Sequence, residues 1–153
     1  RCAIIGAVHI SQALVPISQI SGFEVTVIDP RGSFATEARF PDVTISDEWP
    51  DDAMKEFKPD TRTAVVTLTH DPKLDDPALE IALKSDAFYI GCLGSHRTHA
   101  SRLERLTEAG FNDADFARLH APVGLDLGAT SPAEIAVSIL AEMVAAKHGK
   151  LES

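Results

Sequence analysis

The stretch GCLGSHRTHASRL (residues 91–103) sets two glycines, a hydroxyl and a cation at what reads as a helix start. Gly91 and Gly94 free the backbone, Ser95 offers a hydroxyl, and Arg97 falls in the first turn. A cation there opposes the helix dipole. It costs stability without an anion or carboxylate beside it, so the segment points to an anion site. A second glycine turn lies in AIIGAVHISQAL (residues 3–14), where an apolar run meets Gly6 and passes into a helical stretch that opens with His9. It begins like the G-x-G-x-x-G loop of a dinucleotide fold, but Val8 and Ser11 stand where the second and third glycines belong. Val8 fills the space through which a pyrophosphate approaches the backbone, which disfavours NAD(P). Ser11 is small enough to keep helix and strand close. Gly6 thus reads either as an anion-facing turn or as a plain strand-to-helix connection.

Asp29 falls near the distance from such a glycine at which a carboxylate meets ribose hydroxyls. Arg31, two residues on, offers a guanidinium to a phosphate. The same Asp29-Pro30-Arg31 run also reads as a solvated turn. His70, followed by Asp71, has the chemistry of an acid, a base or a ligand donor; the alternative is a polar loop residue bonded to backbone. His70, Asp75, Asp76, His96 and His99 are the candidate metal ligands, but their spacing matches no known ligand set, so no metal is expected. Neither a Ser-His-Asp order nor a nucleophile elbow is present, and no catalytic residue is assigned.

The elements that must position these residues alternate. Residues 2–6 form an apolar run ending in glycine, 23–29 a β-branched alternating run, 43–46 a weaker strand, and 63–69 and 87–94 strong ones. Helices are expected over 9–21, with Pro16 inside and Gly22 closing it, and from an Asp76-Pro77 cap through Lys84. Two more are expected from Ser95 to before Gly110, and as a short turn capped by Asn112. Ser131-Pro132-Ala133-Glu134 is a capping box that opens a last helix, with Ile135, Ile139, Leu140, Met143 and Val144 facing a sheet. Strands alternating with helices predict an α/β fold: a doubly wound, Rossmann-like parallel sheet in a three-layer αβα sandwich. Ligands of such sheets bind beyond the carboxyl ends of the strands. Gly6, His9, Asp29, Arg31, His70, Asp71, Gly94, Ser95 and Arg97 all fall on that rim.

The chain has 153 residues, 44% hydrophobic and 24% charged, the composition of one globular domain over 1–153. Its formal charge of −9 argues against nucleic acid or an anionic membrane surface as partner. Cys2 and Cys92 lie far apart without metal spacing, which suits a reducing cytoplasm, and Cys92 reads as a core residue. The chain opens on Arg1 and enters a strand at once, which suggests the C-terminal part of a longer polypeptide.

IIGAVHISQAL, VTVIDPRGSFATEARFPD, AVVTLTHDPKLDDPALEIALKS, FYIGCLGSHRTHASRLERLTEAGF and LHAPVGLDLGATSPAEIAVSILAEMVAAKHG together resemble the XdhC/CoxI family. These are accessory proteins of xanthine dehydrogenase and related molybdenum hydroxylases, and the resemblance covers their C-terminal Rossmann-like domain. It implies a molybdenum-cofactor insertion chaperone that carries molybdopterin as cargo and is not an enzyme of turnover. It also implies a molybdenum hydroxylase apoenzyme as partner, with a sulfurtransferase, and a homo-oligomeric state. On this reading the backbone amides and Arg97 take the cofactor phosphate, while Asp29, His70 and Asp71 pair with pterin edges or a ribose. The family has glycine at the position of Val8, and an N-terminal domain with a cysteine region that neither Cys2 nor Cys92 matches. The alternative is an NAD(P)-binding oxidoreductase domain. A third reading is an association module using the last helix and GLDLG (124–128).

Overall fold

The computed structural model describes residues 1–32 and 34–151. Six parallel strands form one sheet in the order β3-β2-β1-β4-β5-β6, where β1 is Cys2–Ile5, β2 Val25–Ile28, β3 Thr44–Ser46, β4 Ala64–Thr67, β5 Tyr89–Cys92 and β6 Leu119–His120. The helices between them are α1 (His9–Ile20), α2 (Pro50–Phe57), α3 (Pro72–Leu83), α4 (His96–Glu108), α5 (Asp113–Phe116) and α6 (Pro132–Lys147). This is the doubly wound, Rossmann-like α/β fold that the alternation predicts.

Every residue of β1, β4 and β5 is buried, because helices cover both faces of the sheet. Alternate strand residues therefore feed two cores. Ile4, Val27 and Val66 pack with Leu14 and Val15 of α1 and with Ile139 and Met143 of α6. Ile5, Ile28 and Val65 pack on the other face with Met54 of α2 and with Leu79 and Leu83 of α3, and Leu106 of α4 joins the same core. Successive crossovers leave β1 in opposite directions along the sheet, and that reversal opens the topological switch point between β1 and β4.

The capping box of α6 forms as expected: Glu134 N–H donates to Ser131 Oγ at 3.1 Å, and Ser131 N–H returns to Glu134 Oε1 at 3.1 Å. Of the five residues expected to face the sheet, Ile139 and Met143 are buried and Ile135 and Leu140 pack against the same core, while Val144 is exposed. Glu142 is buried beside them, its carboxylate accepting the Tyr89 hydroxyl and, at 3.0 Å, the Gly124 N–H. The start of α3 also moves. Asp71, not Asp76, caps it by accepting Lys73 N–H at 3.0 Å, with Pro72 in the first turn and Pro77 inside the helix. An Asp-Pro pair marks both positions, and the earlier one wins because it starts the helix directly at the end of β4. Two elements were not expected: α2, with Pro50 at its start and Asp51 and Asp52 in its first turn, and the two-residue β6. No helix among the described residues is long and apolar enough to cross a membrane.

Candidate functional site

Gly6 ends β1 at the switch point with φ +116°, a conformation that favours glycine. A Cβ there would lie 2.8 Å from Thr69 Cγ2, so the ends of β1 and β4 approach too closely for a side chain. The amides that follow are already engaged. Ala7 N–H donates to Asp29 Oδ2 at 2.9 Å, and Val8 N–H to Ser11 Oγ at 3.3 Å. The Ser11 hydroxyl donates in turn to the Gly6 carbonyl. Arg39 closes the turn from outside, donating to the Ala7 carbonyl at 2.9 Å and to Gln12 Oε1 at 3.0 Å. His9, first residue of α1, is exposed. The two amides ahead of α1, Ala7 and Val8, are thus engaged by side chains, while those of His9 and Ile10 in its first turn have no intrahelical acceptor.

Asp29 sits at the end of β2, fully buried. Besides Ala7 it accepts Arg31 N–H and Arg31 Nε–H on Oδ1, both at 2.9 Å, and Arg31 Nη2–H on Oδ2 at 2.7 Å. Burial pushes this carboxyl up, but the Arg31 guanidinium and the Ala7 and Arg31 amides outweigh it and hold it below the usual carboxylate range. The Arg31 guanidinium also lies 4.4 Å from the Phe34 ring centroid. Asp29 and Arg31 are therefore spent on each other. In this arrangement the Asp29 carboxylate accepts four donors and the Arg31 guanidinium is forked onto it, so a ribose or a phosphate here would have to displace one partner from the other.

The carboxyl ends of β4 and β5 are different. Gly94 follows β5 with φ +142°, and a Cβ on it would meet Thr98 Cγ2 at 3.0 Å. Ser95 caps α4, accepting Thr98 N–H at 3.1 Å, which leaves the His96 and Arg97 amides without intrahelical acceptors. Arg97 is exposed in that first turn and makes no ion pair among the described residues. His70, at the end of β4, takes a left-handed φ of 64° and is exposed, and Asp71 spends its carboxylate on the α3 cap.

Beneath this rim lie two charges that the sequence did not single out as a pair. Arg102 is 2% exposed, donating through Nη2 to the Leu93 carbonyl at 2.9 Å and contacting His99 Nδ1 through Nη1 at 3.1 Å. Its Nε has no acceptor. Asp75, also 2% exposed, accepts the Thr69 hydroxyl at 2.7 Å. Burial raises its carboxyl to about 6 against the pull of Thr69 and the Arg102 charge. Both line a cavity of about 190 Å³ between α3 and α4, with His70, Asp76, Thr98 and Arg105 among its other walls. Their signal in the sequence was helical spacing: Ser95, Thr98 and Arg102 share one face of α4, and Asp71 and Asp75 one face of α3. Among the described residues no group of three or more His, Cys, Asp or Glu side chains is placed to hold a metal ion. Cys2 and Cys92 are fully buried, and burial pushes their thiols up to about 12 and about 11.

Of the nine rim residues, the structure gathers His70, Asp71, Gly94, Ser95 and Arg97 around the β4 and β5 ends, with Gly6 in contact with Thr69 at their border. Asp29 and Arg31 belong to the closed β1–β2 side, and His9 to the exposed start of α1.

The chain has relatives. Over 88 residues the chain is 40% identical to the "Molybdenum cofactor insertion chaperone PaoD" of Escherichia coli K12, covering 58% of this chain and 28% of that protein. It is 32% identical over 145 residues to a Bacillus subtilis 168 protein described as a probable xanthine dehydrogenase subunit, covering 94% and 42%. The chain thus spans under half the length of these relatives. A crystal structure described as a xanthine dehydrogenase from Bacillus halodurans superposes with a TM-score of 0.83 at 30% identity, over 99% of this chain and 44% of that one. The Lmo0794 protein of Listeria monocytogenes, at 17% identity and TM-score 0.57, shares the fold alone. Residues 2–143 match the XdhC Rossmann domain, and the chain belongs to that family.

Proposed function

We propose that this domain handles molybdenum cofactor as cargo during maturation of a xanthine dehydrogenase-type molybdenum hydroxylase, and that it catalyses no turnover itself. The cofactor phosphate is received at the β5–α4 turn by the His96 and Arg97 amides and the Arg97 guanidinium. Delivery goes to the hydroxylase apoenzyme in the cytoplasm, with a sulfurtransferase as a further partner and a homo-oligomer as the working form. Relatives named for cofactor insertion and for xanthine dehydrogenase support the assignment. One observation carries the choice of site: at β5–α4 the Arg97 guanidinium stands exposed and without an ion pair among the described residues, beside the His96 and Arg97 amides, whereas the rim's other guanidinium, Arg31, is spent on Asp29. The same engagement of Asp29 weighs against the NAD(P)-dependent oxidoreductase, which needs that carboxylate free for a ribose.

The test is a side-by-side titration of the wild type and Arg97→Ala with molybdenum cofactor, NAD and NADP. Cofactor binding weakened by about 1.5–3 kcal/mol in Arg97→Ala, the loss of one charge-assisted hydrogen bond, supports the reading. Tight NAD binding, or cofactor affinity indifferent to Arg97, overturns the site.

A further inference from the structure

The cavity between α3 and α4 has an unusual charge arrangement. Arg105 and Asp76 neutralise each other on its wall, Nε to Oδ2 at 2.6 Å. The two buried charges, Arg102 and Asp75, take part in no ion pair among the described residues. Arg102 meets only a neutral carbonyl and a histidine ring, with Nε unpartnered, and Asp75 accepts the Thr69 hydroxyl and N–H, both on Oδ1. Buried charges left this way are costly unless something completes them. A phosphate would complete Arg102 but face the Asp75 and Asp76 carboxylates. A neutral ring edge carrying both a carbonyl and N–H donors completes both, its carbonyl turned to the guanidinium and its N–H groups to the carboxylate.

We propose that this cavity takes the lactam edge of an oxo-aminopyrimidine ring, the head of a pterin or of a guanine nucleotide. Asp75 receives the ring N–H and exocyclic amine, and Arg102 faces the ring carbonyl. Thr98 belongs both to the cavity wall and to the first turn of α4, so a ring held here has its side chain and phosphate leading to the Ser95 turn. The identification of the ring as the cargo's own rests on the function proposed above; the lactam chemistry of the cavity does not.

The experiment titrates the full chain with 6-hydroxymethylpterin, followed by its fluorescence, with guanosine monophosphate, and with molybdenum cofactor. Wild type is compared with Asp75→Asn, which turns an acceptor into a donor, and with Ser101→Trp. Ser101 is exposed on the cavity wall, so Trp obstructs entry without touching the buried groups, and its thermal melt checks the fold. The expected result is pterin binding weakened at least tenfold in both variants. Guanosine monophosphate binding with that sensitivity, and no pterin binding, keeps the lactam site and makes its ligand a purine. If neither ring binds the wild type, or both variants bind as the wild type does, the proposal is overturned. Molybdenum cofactor binding equally to all three proteins overturns the cavity while the cargo function stands. Pterin held in the cavity without any cofactor binding has the opposite consequence.

Discussion

Replacing Asp29 by alanine separates a structural carboxylate from a ribose ligand. In the folded chain four donors converge on it at 2.7–2.9 Å: Ala7 N–H and the Arg31 N–H, Nε–H and Nη2–H. Their fates after substitution differ. The Arg31 side chain is 32% exposed and rehydrates, so its share of the loss is small. Ala7 is fully buried, and its N–H loses its acceptor without access to water. An unsatisfied buried donor costs about 1–3 kcal/mol, and the weakened Arg31 anchor adds about 1, for a total of about 2–4 kcal/mol. With a urea m-value of about 2 kcal/mol/M, the unfolding midpoint of Asp29→Ala falls by about 1–2 M while m is unchanged. The sign of the pH dependence follows from the lowered pKa. The contribution is complete above the unfolded value of about 3.9 and is lost as pH falls through the lower folded value, so the variant lacks this part of the acid-side loss. An Asp29→Ala midpoint within the equivalent of about 0.5 kcal/mol of wild type, the range of an ordinary surface substitution, would refute the structural role.

Asp75 has the opposite sign. Its folded pKa of about 6 lies above the unfolded value, so its ionisation destabilises the fold as pH rises from about 4 to 6. Asp75→Asn, which keeps an acceptor for Thr69, therefore gains stability relative to wild type across that window, by up to about 3 kcal/mol in urea titrations at pH 4.5 and 7.5. Gly6→Ala forces a Cβ 2.8 Å from Thr69 Cγ2 at φ +116°, and a loss of about 1–3 kcal/mol is expected in thermal melts. Val8→Gly restores a glycine of the dinucleotide loop yet leaves NAD binding undetectable by calorimetry, because Asp29, Ser11 and Arg39 still hold the turn. Cys2 and Cys92, buried with raised pKa values, do not react with a thiol-disulfide reagent at pH 8 until denaturant unfolds the chain.

The strands were legible because a doubly covered parallel sheet writes its strands as apolar runs: CAII, AVVT and YIGC are wholly buried. The α6 start was legible because a capping box is local chemistry. PDDAMKEF escaped although Pro50, Ala53, Met54 and Phe57 recur at helical spacing, because the pattern spans only two turns and opens on a proline and an alanine, and β6 because two residues have no period. Within the site, Gly6, Gly94 and Ser95 were readable from turn and cap chemistry. Asp75 and Arg102 were not readable as a buried pair, since a charged residue on a helix reads as solvated until the neighbouring helix covers it. Asp29 was placed correctly at the end of β2, but its occupancy depends on Arg31 folding back and on Ala7 approaching from another strand. No local pattern contains that contact.

The two glycine turns of this sheet show why a phosphate-loop motif needs its surroundings to be interpreted. Both end a buried strand with a glycine at positive φ and lead into a helix. At β1–α1 the serine in the third glycine's place turns inward, and its hydroxyl takes the Val8 amide just ahead of the helix. Asp29 takes the neighbouring amide, and Arg39 binds the carbonyl between them. The turn then resembles an anion site filled by protein atoms. At β5–α4 the serine is the cap itself, so its hydroxyl is used one turn into the helix and the first amides stay unused. Arg102 reaches back along α4 toward the same turn, its Nη2 bonded to the Leu93 carbonyl just before Gly94. Arg97 is left unpaired among the described residues at the β5–α4 turn, while Arg31 at the β1–α1 side is paired with Asp29. In a sheet whose topology offers two comparable places for an anion, the side chains that fill one of them determine which remains for a ligand.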